Sequence, residues 1–268
     1  MLGYEKKHVL VVGGATGMGA AAAQRAIELG AEVTVLDVAE VPFPVRQSIR
    51  IDLRSEEAVE ATIERLDGPF DAVFSCAGVA NGTPGVVLIN FISQRRIIEG
   101  LITKRALGRG SAIAMISSIG AVVGIGWKGD LPRLQEFLAL ASWKDQAAWI
   151  EAHKTDDWQT NVDSYMFSKR AMSAYVAMQA FPLARLGMRI NAILPGSTDT
   201  PLARANADTF LPYGGDYRAA AGLQYLQPQE VGDLLVFLCS PAASGVNGEN
   251  IVADQGFGVA QLTGAFKP

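Results

Sequence analysis

The chain has 268 residues, 49% hydrophobic and 19% charged, enough apolar material for one large core and no polar tract long enough to stay unfolded. A net charge of −4 supplies none of the basic field that binding to nucleic acid requires, and two histidines with two widely separated cysteines argue against a histidine-rich metal site, a hydrolase triad or a disulfide framework. No apolar run is long enough to cross a bilayer and no signal-peptide pattern opens the chain, so the expectation is a cytoplasmic protein with no metal and no nucleic-acid or membrane partner.

In chain order, His8–Val12 reads as a strand that ends in glycines. A helical pattern from Met18 to Leu29 follows, closed by Gly30 at the position where a left-handed residue stops a helix. Glu32–Leu36 and Ile49–Leu53 give two further strands, and Ser55 with Glu56 and Glu57 opens another helix. Strands at Ala72–Ser75, Ala112–Ile116, Arg189–Leu194 and Asn250–Ala253 then alternate with helices near Ile92–Leu107, Ser164–Leu186 and Gln229–Leu238. Seven strands alternating with helices predict an α/β fold, a doubly wound, mostly parallel sheet covered on both faces, within a single domain spanning 1–268.

The turn after the first strand runs Val12-Gly13-Gly14-Ala15-Thr16-Gly17-Met18-Gly19. Between a strand and a helix, such glycines let the backbone approach a pyrophosphate while the free N–H groups of the helix face its charge. Without that context the spacing is an ordinary tight turn. Asp37 ends the second strand, where a carboxylate accepts hydrogen bonds from the adenosine ribose and repels a 2′-phosphate. Neither Ala15 nor Thr16 offers a cation to bind that phosphate, so NAD(H) is expected rather than NADP(H). Asp52 and Leu53 follow the third strand and could sit beside the adenine, with a helix-capping Asp as the alternative.

Tyr165 and Lys169 stand four apart at the start of a predicted helix and share one face. A phenol is a poor base at neutral pH unless positive charge stabilises its phenolate, which Lys169 and an oxidised nicotinamide would both supply. Lys169 could also hold the nicotinamide ribose. Ser118, just past the strand Ala112–Ile116, is placed to hydrogen-bond the substrate oxygen, with Ser117 as its rival.

Taken together, Gly13-x-x-x-Gly17-x-Gly19, Asp37, Asp52-Leu53, Cys76-Ala77-Gly78, Asn90, Ser117-Ser118, Tyr165-x-x-x-Lys169 and Pro195-Gly196 with Thr198, Thr200 and Pro201 give a chain that resembles the short-chain dehydrogenases/reductases from about His8 to Phe257. The resemblance implies a Rossmann-like fold and a catalytic tetrad of Asn90, Ser118, Tyr165 and Lys169, with Asn90 holding a water that links Lys169 to solvent. It implies cofactor contacts from Gly13, Thr16, Gly17, Met18, Gly19, Asp37, Asp52, Leu53, Cys76, Ala77, Gly78, Tyr165, Lys169, Pro195, Gly196, Thr198 and Thr200, Thr198 lying near the nicotinamide carboxamide. Three positions depart from the family pattern: Val12 replaces Thr, Cys76 replaces Asn, and Gln255 replaces Gly after Asp254. The first two remove polar groups that brace the cofactor loop.

Ser118 and Tyr165 are forty-seven residues apart, much farther than in most relatives. The segment 124–161 reads as a helical insertion before the Tyr-Lys helix and holds all four tryptophans, Trp127, Trp143, Trp149 and Trp158. It resembles an insertion in the bacterial 3α-hydroxysteroid and coniferyl alcohol dehydrogenases, although packing support alone would also explain it. A second stretch, 202–227, carries Pro212, Gly214, Gly215 and Gly222 and reads as a mobile substrate loop. With Trp127, Trp143 and Phe210 it would form an apolar cleft lacking a cationic anchor, suited to a bulky cyclic alcohol or ketone, a hydroxysteroid first and an aromatic or terpenoid alcohol second. A nucleotide-sensing protein without turnover is the rival function, and an epimerase or dehydratase ranks last. Relatives form homo-oligomers through the Asn90 and Tyr165 helices, which this insertion could obstruct, so both homodimer and homotetramer are expected possibilities.

Overall fold

The computed structural model describes residues 2–157 and 160–267; Trp158 of the insertion lies outside them. The order is β1 His8–Val12, α1 Gly17–Glu28, β2 Glu32–Asp37, β3 Gln47–Arg50, α2 Glu56–Arg65, β4 Ala72–Ser75, then a π-turn at Leu88–Ile92 running into α3 Ser93–Thr103, and β5 Ala112–Ile116. There follow α4 Gly126–Gly129, α5 Leu131–Ala139, α6 Trp143–His153, α7 Tyr165–Arg185, β6 Arg189–Pro195, α8 Pro201–Ala205, α9 Ala207–Phe210, α10 Gly215–Ala221, α11 Pro228–Cys239, β7 Asn250–Ala253 and α12 Phe257–Leu262.

All seven strands pair in parallel, in the order β3-β2-β1-β4-β5-β6-β7. The expected strands agree with the observed ones except for β3, which begins and ends earlier than Ile49–Leu53. Its ladder with Thr34–Asp37 uses Gln47–Arg50. Beyond that, Ile51 N–H still reaches the Asp37 carbonyl at 2.9 Å, but β2 has ended and the following residues have no neighbour to pair with. Buried Ile51 and Leu53 supply the apolar alternation of a strand without its ladder.

Successive strand residues point to opposite faces, and β1 sorts cleanly. Leu10 and Val12 join the core beneath α2, α3, α5, α6 and α7, whereas Val9 and Val11 join the core beneath α1 and α11. On the latter face the contacts of α1 are alanines, and a methyl on Gly232 of α11 would lie 2.9 Å from Ala22 N, so small residues set this close approach. The chain reverses its winding between β3 and β4, opening a crevice at the carboxyl ends of β1 and β4, where Gly13 and Cys76 leave the sheet.

The insertion is helical, as expected, and much of it is core. Phe137 of α5 is fully buried, with its ring 6.0 Å from Phe91, 5.3 Å from Phe167 and 5.2 Å from Trp149. Arg95 of α3 donates to the Leu138 carbonyl at 3.1 Å and pairs with Glu99, and Asp130 pairs with Arg133. Trp143 therefore does not line a cleft: like Trp149 it is buried in the main cluster. Trp127 is partly exposed, with Lys128 over its ring.

The stretch 202–227 is folded into α8, α9 and α10. It leaves and rejoins the molecule at one point, where Thr198 bridges Leu226, Asp199 N–H donates to the Leu226 carbonyl at 2.8 Å and Leu226 N–H donates to the Ser197 carbonyl at 3.1 Å.

Candidate active site

The glycines after β1 form a cradle that side chains would fill. A methyl on Gly13 would lie 2.5 Å from both Cα and N of Ala77, and Gly13 has φ +82. One on Gly19 would lie 2.0 Å from the Gly13 carbonyl oxygen and 3.0 Å from Cys76 Cβ, whereas Gly17, at φ +59, faces open space up to Thr200 at 3.6 Å. Thr16 caps α1 without a side-chain hydrogen bond, leaving the first-turn N–H groups at Gly17, Met18 and Gly19 aimed out of the helix end. Asp37 closes the far side, its two carboxylate oxygens accepting from Ala15 N–H and Ala39 N–H at 2.9 Å each. This cradle, dipole and carboxylate fit the pyrophosphate and ribose of a dinucleotide.

Gly19→Ala is expected to weaken dinucleotide binding about 10- to 100-fold, the range that a forced backbone shift of about 1–3 kcal/mol implies. Fluorescence titration with NADH measures it, and an affinity equal to that of the wild type would mean that no ligand uses this approach.

The loop after β4 continues the floor. Cys76 N–H donates to the Val12 carbonyl at 2.8 Å, tying the two strand ends together. The polar bracing missing at Val12 and Cys76 comes from elsewhere. Gln94, fully buried on α3, donates to the carbonyls of Ala77 at 2.9 Å, Ile89 at 2.8 Å and Asn90 at 3.0 Å, and accepts from the Ser75 hydroxyl. A glutamine one turn beyond Asn90 was the available signal, and with Ser93, Arg95 and Arg96 around it the sequence did not single it out.

Asn90 sits in the π-turn that precedes α3, where a widened turn changes the direction of the side chain. Its amide accepts from Val79 N–H at 2.8 Å and donates to the Val79 carbonyl at 3.0 Å and to Ser168 Oγ at 3.2 Å. Ser168 in turn donates to the Tyr165 carbonyl at 2.6 Å, and Asn81 accepts from Tyr165 N–H at 2.6 Å. Neither Ser168 nor Asn81 is marked by the motif, yet both hold the first turn of α7. Ser164 caps that turn through Phe167 N–H.

Within that frame Tyr165 and Lys169 come together with Ser118 as the spacing predicted. Lys169 Nζ lies 5.5 Å from the Tyr165 ring centroid and donates to the Ile116 carbonyl at 2.7 Å. A methyl on Gly78 would lie 3.8 Å from that Nζ and 3.9 Å from Asn90 Oδ1, so the cradle floor passes directly beneath the lysine. Ser118 Oγ accepts from Gly120 N–H at 3.1 Å and stands near enough to the Tyr165 phenol to favour its charged form. Ser117 does not compete: its buried hydroxyl donates to the Lys169 carbonyl at 2.9 Å and meets Ser173.

Burial pushes the Lys169 amine down to about 8, with the neighbouring Cys76 opposing. Burial likewise raises the Tyr165 phenol, and the nearby Ser118 hydroxyl pulls it back toward the charged form. For this phenol to give up its proton near neutral pH, positive charge must stand beside it, and Lys169 carries that charge below about pH 8.

The β6 end supplies the remaining wall. Gly196 N–H donates to the Ala253 carbonyl at 2.9 Å, and a methyl on Gly196 would lie 3.0 Å from Asp254 Cβ. Thr198 Oγ1 donates to the Gly196 carbonyl at 3.0 Å, while Thr200 caps α8 beside Gly17. Beyond β3 Leu53 is buried, and the Asp52 carboxylate is held by Arg54 through 2.6 Å, 3.0 Å and 3.1 Å contacts, which lowers its pKa. Asp52 does not cap α2, because Ser55 does.

Comparisons with known proteins agree with this arrangement. A family model described as enoyl-(acyl carrier protein) reductase matches residues 148–258, and the model of the NAD-dependent epimerase/dehydratase family matches residues 9–105. The cis-4-hydroxycyclohexanecarboxylate dehydrogenase of Sinomonas cyclohexanicum is 28% identical, over 95% of this chain and 97% of that protein. The 3-alpha-hydroxysteroid dehydrogenase/carbonyl reductase of Comamonas testosteroni is 26% identical, over 92% and 95%. The crystal structure of the 3-alpha-hydroxysteroid dehydrogenase from Pseudomonas sp. B-0831 complexed with NADH superposes with a TM-score of 0.76 at 26% identity, covering 98% of this chain and 100% of that one. With a parallel sheet in this strand order, the glycine cradle and the Ser118, Tyr165 and Lys169 cluster in place, the chain belongs to the short-chain dehydrogenase/reductase family.

Proposed function

We propose that the protein is an NAD(H)-dependent oxidoreductase that interconverts a cyclic secondary alcohol and its ketone. The observation that carries this reading is the buried Lys169 ammonium 5.5 Å from the Tyr165 ring centroid, above the cradle floor at Gly78. In alcohol oxidation Tyr165 takes the hydroxyl proton of the substrate as general base, and in ketone reduction it returns that proton to the carbonyl oxygen. Ser118 donates a hydrogen bond to the same oxygen and fixes its position. Lys169 stabilises the phenolate electrostatically, and Asn90 with Ser168 holds the turn that aims both side chains. The nicotinamide, when bound, accepts or supplies the hydride. Gly13, Gly17, Gly19 and Asp37 would hold the adenosine and pyrophosphate portion, and Cys76, Ala77, Gly78, Lys169, Pro195, Gly196, Thr198 and Thr200 the other half.

Relatives acting on hydroxycyclohexanecarboxylate and hydroxysteroids support a cyclic alcohol as substrate. Apolar Val122, Val123 and Ile125, exposed four to seven residues beyond Ser118, offer apolar surface suited to a hydrocarbon ring. A panel of cyclic alcohols with NAD, followed at the NADH absorbance band, tests the reading, and the absence of any absorbance change across the panel would favour a nucleotide-sensing role instead.

The NAD(H) preference rests on the Asp37 carboxylate, followed by exposed Val38, with the neighbouring Arg50 guanidinium turned onto the Val38 carbonyl at 3.1 Å. Asp37→Ala is expected to shift the ratio of NAD to NADP affinity about tenfold toward NADP, the loss of a charge-assisted hydrogen bond and of a like-charge repulsion. Because Asp37 also braces Ala15, both affinities fall. Parallel titrations with NADH and NADPH read the ratio, and an unchanged ratio counts against the assignment.

A further inference from the structure

The ring of Phe210, at the end of α9, stands edge-on to the Tyr165 ring with centroids 5.2 Å apart. We propose that Phe210 is the specificity-determining residue of the site, an aromatic wall that sets how large a ring system can stand beside the Tyr165 phenol. This rests on the oxidoreductase reading above and adds the residue that limits substrate size.

Proton exchange requires the substrate oxygen within about 3 Å of the phenol oxygen, so the carbon ring bearing it must occupy space bordering the tyrosine. Two walls bound that space. Beside Ser118 the wall is close-packed: Gly120 N–H donates to Ser118 Oγ at 3.1 Å, and a methyl on Gly120 would lie 2.8 Å from Met166 Sδ. Opposite stands Phe210, which belongs to the segment between Thr198 and Leu226 and contributes no strand to the sheet.

The helices around it are held by Tyr213 and Tyr217 packed on Phe257, and the turn at Phe210 by side-chain hydrogen bonds. The Ser197 hydroxyl donates to the carbonyls of Phe210 at 2.8 Å and Tyr213 at 3.0 Å. Arg218 donates to the Tyr213 carbonyl at 2.7 Å and the Leu211 carbonyl at 2.9 Å, with its guanidinium 4.5 Å from the Tyr225 ring centroid. Ser197 is thus a positioning residue acting through Phe210, and with these bonds made the phenol has an aromatic ring against it. A substrate with one ring needs little displacement of that wall, whereas a fused four-ring substrate must move it or rely on its removal.

The test compares kcat/KM for cyclohexanol and for androsterone, with NAD, in the wild type, Phe210→Ala, Phe210→Trp and Ser197→Ala. Phe210→Ala is expected to raise the androsterone-to-cyclohexanol ratio about tenfold, mainly through KM, and Phe210→Trp to lower it, as hydrophobic pockets discriminate size. Ser197→Ala should move the ratio in the same direction as Phe210→Ala and add little to it in the double variant, as expected of residues acting as one unit. NADH affinity, measured separately, reports that each variant is folded. A wild type inert to both alcohols would overturn the oxidoreductase reading and this proposal with it. An active wild type whose ratio stays within about twofold in both Phe210 variants would overturn the Phe210 assignment alone.

Discussion

Tyr165→Phe is expected to lower kcat for alcohol oxidation about 1,000-fold while leaving NADH affinity near that of the wild type. The phenol oxygen is the only part of the side chain removed, and its loss abolishes a general acid–base step worth about 10²–10⁴ in rate. The ring of Phe still meets Phe210 and still packs on the main cluster, so folding is preserved. The pH profile carries the sign. Oxidation needs the phenolate, whose formation burial opposes, so the rate rises with pH in the wild type, whereas ketone reduction needs the protonated phenol and falls as pH rises. Both slopes should disappear in the variant. Stopped-flow measurement of NADH formation across pH, beside an NADH titration, checks the pair of claims; full turnover by Tyr165→Phe would end the assignment.

Phe137→Ala is expected to cost about 3–5 kcal/mol of stability, the range for emptying a buried phenylalanine site. Phe137 is the point where α5 meets Phe91 before α3, Phe167 of α7 and Trp149 of α6, so the cavity would open between the insertion and the two helices that hold Asn90 and Tyr165. Chemical denaturation should show a lowered midpoint with loss of activity at temperatures where the wild type is folded. If the insertion were instead a detachable appendage, stability would change by less than about 1 kcal/mol and the residual activity would be normal.

The strands were legible because buried parallel strands are short apolar runs closed by glycine or a polar residue, as at Val12-Gly13 and Ser75-Cys76. β3 was placed late because Ile51 and Leu53 are buried for reasons other than pairing. The Tyr165, Lys169 and Ser118 grouping was legible because a four-residue helical spacing and a strand end are local features. What could not be read were contacts made across the fold by ordinary residues. Gln94 braces Ala77 from another helix, Asn81 holds Tyr165 N–H across eighty-four positions, and Arg54 occupies the Asp52 carboxylate. Trp143 misled for the same reason: an aromatic residue has the same pattern whether it faces a ligand or the underside of a neighbouring helix.

The closure of one segment between Thr198 and Leu226 has a bearing on how such a protein can diversify. A loop whose two ends meet is modular: lengthening it costs only the logarithm of its size, about 0.6 kcal/mol for each doubling, and transmits no change of register to β6 or β7. Swapping the part of this cassette beyond Thr200 for one of different length or sequence leaves the glycine cradle, Asp37, Ser118, Tyr165 and Lys169 on their own supports, so new substrates can be recruited without rebuilding the chemistry.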